Sequence, residues 1–115
     1  MRDYAKLEIW KKAHQLTLDI YRISAAFPKS ELFGLCSQMR RSSSSVPSNI
    51  AEGCGRNTNA QLLNYLQIAS GSCSELAYQL LLCKDLGYIS VSSFKQLDNQ
   101  TIELRKMIYS YSRKL

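Results

Sequence analysis

The sequence predicts an all-α domain, an antiparallel up-down-up-down four-helix bundle. Three observations carry that prediction. Apolar residues recur at three- and four-residue intervals in four successive segments, no stretch alternates as a strand does, and Pro28, Gly53 with Gly55, and Gly87 fall where the segments would end. Short connections make consecutive helices antiparallel neighbours. The 115 residues (1–115) are read as one domain, long enough to bury about two thirds of the unfolded chain's surface without a metal or a disulfide.

In the first segment, residues 7–27, Trp10, Ala13, Thr17, Ile20, Ser24 and Phe27 form one stripe, widened by Leu16 and Ile23. Lys11, Lys12, Gln15, Asp19 and Arg22 lie on the other side, so this is a surface helix with Trp10 as its largest anchor. Pro28 stops it. Ser30 is placed to cap the next helix, with Glu31 near its positive end.

The second segment, residues 35–56, is the least generic. Leu35, Met39, Ser42, Val46, Ile50 and Gly53 share one helical face, and the phase is unchanged across Pro47. The pattern predicts one helix kinked at Pro47. An interior proline removes a backbone hydrogen bond and crowds the carbonyl four residues back, that of Ser43, at roughly 3 kcal/mol, which packing must offset. The alternative is a Ser-rich loop followed by a short helix with Pro47 in its first turn.

Leu62, Leu66, Ala69, Cys73, Leu76, Leu80 and Cys83 form the stripe of the third segment, residues 58–86. Between Asn57 and Cys83 the only charged residue is Glu75. A helix with almost no charge has little solvent face, which points to burial against other subunits; a polar but solvated helix is the alternative. Gly87 ends it, and Ser90 or Ser92 begins the last helix, where Phe94, Leu97, Thr101, Leu104, Ile108, Tyr111 and Leu115 keep a heptad.

Two runs of small residues, Ser42 to Ser45 and Gly71 to Ser74, are expected to face each other. Asn49, Glu52, Ser72 and Glu75 would form a hydrogen-bonded polar network there. Helical spacing also allows a Glu52–Arg56 pair.

The composition excludes several classes. Four cysteines without a Cys-x-x-Cys pair and a single histidine, His14, argue against zinc, and a di-iron bundle needs two Glu-x-x-His motifs. No phosphate loop or nucleophile–base set is present, so no cofactor, no metal and no enzymatic activity are expected. No apolar run approaches the ~18 residues of a membrane span, and the opening residues do not read as a signal peptide, so a cytoplasmic protein with reduced cysteines is expected.

A net charge of +6 favours polyanions through counterion release. The cations that could contact phosphate are Arg40, Arg41, Arg56, Lys11, Lys12, Arg105 and Lys106, distributed over several helices; the alternative is a solvated face with structural salt bridges.

Motifs spanning most of the chain carry a family resemblance: Leu7-Glu8-Ile9-Trp10, Phe27-Pro28, Leu32-Phe33-Gly34-Leu35, Gln38-Met39-Arg40-Arg41-Ser42, Val46-Pro47-Ser48-Asn49-Ile50-Ala51-Glu52-Gly53, and Ala69-Ser70-Gly71-Ser72 with Glu75. The chain resembles the four-helix-bundle proteins encoded in intervening sequences of bacterial 23S rRNA genes, often labelled ribosomal proteins, a fold group that includes the accessory protein of diversity-generating retroelements. The resemblance implies a homo-oligomer, a closed ring of five with a positive surface. It implies a basic role for Arg40, Arg41 and Arg56, and for the retroelement relatives binding of nucleic acid and of a reverse transcriptase. The reading is of an oligomeric RNA- or DNA-binding protein acting through phosphate contacts, or else a protein-binding module.

Overall fold

Local chemistry sets the helix boundaries. The computed structural model describes residues 2–115, and within them four α-helices follow in order: α1 Glu8–Ser24, α2 Leu35–Cys54, α3 Asn59–Asp85 and α4 Val91–Ser112. Thr58 Oγ1 accepts from the Gln61 N–H at 3.1 Å and Ser90 Oγ from the Ser93 N–H at 3.0 Å, each satisfying a donor that a helix start leaves free. Gly87, with φ of 79°, lies in the left-handed region beyond α3 and turns the chain toward α4.

The start of α2 differs from expectation. Ser30 lies in a short 3-10 turn, Lys29–Glu31, and does not cap α2, because the chain makes this extra turn first. Glu31 takes the capping role: its Oε1 accepts from the Leu35 N–H at 3.2 Å, and its Oε2 accepts from the Tyr88 hydroxyl at 2.8 Å. That second bond ties the α1–α2 connection to the α3–α4 connection.

Pro47 is buried inside α2, which runs through it as one helix rather than breaking into a loop and a new helix. Gly55 follows its end, as expected, whereas Gly53 lies within it.

Each helix packs on the next, α4 returns against α1, and the backbones of the diagonal pairs α1/α3 and α2/α4 stay apart across the shared core. The predicted stripes are the core. Leu16 and Ile20, Met39 and Ile50, the complete α3 set from Leu62 to Cys83, and Leu97, Thr101, Leu104 and Ile108 are all buried. The four cysteines are free and buried, with Cys83 Sγ 3.1 Å from Met39 Sδ. Trp10 corrects the prediction. It is only half-buried, and the inner face of α1 is held instead by Ala13, Leu16 and Ile20, while the indole lies at the α1/α2 edge.

Candidate nucleic-acid interface

The small-residue runs of α2 and α3 do meet, through fewer partners than expected. The Ser72 hydroxyl donates to Ser45 Oγ at 2.9 Å, and the Asn49 amide donates to the same oxygen at 2.9 Å and to the Ser45 carbonyl at 2.8 Å. Ser45 is therefore the hub. A second cross-link, Ser42 Oγ to Gln79 Oε1 at 2.6 Å, joins two buried residues and was not foreseen. Glu52 and Glu75 are exposed and stand outside this network: Glu52 is drawn to Arg56 instead, and no hydrogen bond joins Glu75 to the seam.

The proposed cations fall into two groups. Some are engaged within the chain. Arg40 sits over the Tyr21 ring at 4.8 Å, donates from Nε to Ser24 Oγ at 2.9 Å and from Nη2 to the Tyr21 carbonyl at 3.3 Å, which places its charge at the negative end of α1. Arg56 pairs with Glu52 at 3.0 Å, as its spacing predicted, and donates to the Tyr65 hydroxyl at 2.7 Å. Arg105 reaches from α4 to Ser74 Oγ at 2.9 Å. Lys11 lies 3.5 Å from Glu8, and Lys12 spans from α1 to Glu103 of α4 at 3.6 Å.

Arg41 and Lys106 form the other group: both are exposed and make no ion pair among the described residues. Lys106 lines a groove of about 440 Å³ between the start of α1 and the end of α4, together with Lys6 and Lys114. Leu7, Ile9, Met107 and Tyr111 supply its apolar lining, with Glu8 and Glu103 at the sides. Those two carboxylates pair with Lys11 and Lys12, and Lys6, Lys106 and Lys114 make no ion pair among the described residues, so positive charge is in excess around the groove. Lys6 and Lys114 were not among the predicted site residues. Lys106, Ser110 and Lys114 recur every four residues, a signal visible in the sequence; Lys6, a hundred positions away, gave none.

The outer face of α3, diagonally across from α1, is charge-poor as expected. Ile68, Tyr78 and Leu81 are exposed on it. Gly71 is exposed too, and a Cβ added there would meet nothing within 4 Å, so it makes no close approach inside this chain.

Among the described residues no group of three or more His, Cys, Asp and Glu could hold a metal, and no helix is long and apolar enough to cross a membrane. The molecule is a small four-helix bundle with a lysine-rimmed groove on one side and a charge-poor helix face on another. It belongs to the 23S rRNA-intervening sequence protein family, whose family model matches residues 5–110. Among solved structures it is similar to a crystal structure of a protein of unknown function from the S23 ribosomal protein family of Bacteroides thetaiotaomicron. The TM-score is 0.81 and the identity 24%, over 90% of this chain and 97% of that one, a likeness of fold. No curated protein matches the chain.

Proposed function

We propose that the protein is a non-enzymatic, homo-oligomeric nucleic-acid-binding protein of the cytoplasm that holds RNA or DNA through phosphate contacts. The observation that carries this reading is the α1/α4 groove, which Lys6, Lys106 and Lys114 line without an ion pair of their own among the described residues. Such contacts position a strand but read no sequence, so binding is tight at low salt and indifferent to base order. Self-association uses the outer face of α3, in the five-membered ring that the family resemblance implies. Gly71 supports this, since a mid-helix glycine with no neighbour in its own chain leaves room for another. A ring repeats the groove around its circumference and raises avidity without new contacts.

Fluorescence anisotropy of a labelled structured RNA, titrated across a salt series, tests the reading. The logarithm of the affinity falls linearly with the logarithm of salt, and Lys106→Ala with Lys114→Ala lowers the slope by about 1 per lysine. Arg40→Ala, whose guanidinium is held by α1, changes the slope little. Absence of binding at low salt would overturn the proposal.

A second reading, an adaptor for another protein such as a reverse transcriptase, is favoured by Leu32 and Phe33. They stand next to each other on the α1–α2 connection, 50% and 92% exposed, an apolar tip suited to a protein pocket.

A further inference from the structure

A second pocket, of about 280 Å³, opens between α1 and α2 on the other side of α1 from the lysine groove. No Lys, Arg, Asp or Glu lines it. Its aromatic wall is built from three rings: Trp10 and His14 stack with centroids 5.0 Å apart and planes 7° from parallel, and Tyr4 tilts against Trp10 at 4.9 Å. The opposite wall is Ser44 and Ser48 of α2, and buried Thr17 lies beneath. The pocket exists because α2 presents serines at these positions, where larger side chains would close the groove. His14 is exposed, so the stack can be continued outward.

We infer that this pocket takes an unstacked base of a single-stranded RNA or DNA whose phosphates lie in the lysine groove; the inference rests on the phosphate reading above. A planar heterocycle extends the Trp10–His14 stack, and the hydroxyls of Ser44 and Ser48 meet its polar edge, which tolerates any base because each has a π-face. An i, i+4 ring pair accounts for the stack itself but not for an open pocket beside it. The cations around the pocket match a strand crossing α1 near its start. Lys6 lies two residues beyond Tyr4, and Arg41, which makes no ion pair among the described residues, is one turn before Ser44, whereas Lys11 and Lys12 are turned away from Trp10 toward Glu8 and Glu103. A duplex, whose bases are stacked on one another, offers this pocket nothing.

Trp10 is the only tryptophan of the chain, so its emission reports the stack directly. We would titrate the full-length protein with a single-stranded RNA dodecamer, with the dodecamer duplex, and with a single strand carrying abasic sites, following Trp10 emission and anisotropy together. The expected result is emission quenched by half or more with the single strand only. His14→Ala should then weaken the intact single strand about tenfold, leaving its salt slope and the abasic strand's affinity unchanged. Salt-dependent binding of all three nucleic acids without quenching, and with no effect of His14→Ala, overturns this inference and leaves the phosphate reading standing. No binding of any of the three overturns both.

Discussion

The Thr17 hydroxyl lies 2.9 Å from the carbonyl of Ser43, the acceptor that Pro47 deprives of its helical partner. The same hydroxyl is 3.0 Å from the Ala13 carbonyl, so one proton on α1 serves two helices. This bond offsets part of the proline's disruption and explains how α2 continues through Pro47 in a buried setting, where an unpaired carbonyl would be costly. Thr17→Val keeps the shape and removes the donor. It should lower stability by about 1–3 kcal/mol in urea unfolding, whereas Thr17→Ser should lower it less. In a Pro47→Ala background the Ser43 carbonyl regains an N–H, so the cost of Thr17→Val should shrink there by about 1 kcal/mol; strictly additive effects would show that the bond does not compensate the proline.

Gly53 and Gly71 should respond oppositely to alanine. A Cβ at Gly53 would stand 2.8 Å from Leu62 Cδ1 and 2.9 Å from Tyr65 Cβ, and the latter, next to the α3 backbone, has little freedom to give way. Gly53→Ala should therefore destabilise the fold by about 1–3 kcal/mol despite alanine's better helix propensity. Gly71→Ala has open space around it and should stabilise the isolated chain by up to about 1 kcal/mol. Sedimentation velocity on the same variant should show weaker self-association; an unchanged association constant would remove α3's outer face from the proposed interface.

The polar seam divides its four predicted members into two pairs. Ser72→Ala and Asn49→Ala, which remove bonds to Ser45, should each lower the melting temperature by several degrees, corresponding to about 1 kcal/mol. Glu52→Ala and Glu75→Ala, at exposed positions, should stay within about 0.5 kcal/mol of the parent. Equal effects at all four sites would restore the larger network.

Burial raises the Cys73 thiol to about 11 and the Cys83 thiol to about 12, from an ordinary 9.0. The folded state thus keeps protons that the unfolded chain releases above pH 9, and the stability these thiols contribute is present below that pH and is lost as pH rises toward 11 to 12. The urea midpoint should accordingly fall between pH 8.5 and 10.5, and fall less in a Cys73→Ala, Cys83→Ala double variant. Identical pH dependence in the two proteins would exclude the thiols as its source.

Much of this was legible in the residues. The stripe of α3 is buried at every position named for it, and that of α4 at Leu97, Thr101, Leu104 and Ile108, with Phe94, Tyr111 and Leu115 half-buried at its ends, because a 3.6-residue period fixes which side chains share a face before any partner is known. The caps at Gly87 and Ser90 were equally local. The errors share one cause. Sequence neighbours alone make Ser30 a cap and Trp10 the largest anchor of α1, but an extra turn displaces the first, and the half-buried indole lies against the Ser-rich side of α2 and the ring of Tyr4.

The sequence by itself thus determined four helices, their core faces and a net positive charge, all properties that are either periodic or additive along the chain. Only the tertiary structure decided what each cation does. Arg40 is taken up by Tyr21 and Ser24, Lys12 by Glu103, and Arg105 by Ser74, while Lys6 joins Lys106 and Lys114 along one groove, none of the three in an ion pair among the described residues. The physical reason is reach: a charge is spent or free according to side chains within a few ångströms, and in a bundle those belong to helices that are distant in sequence.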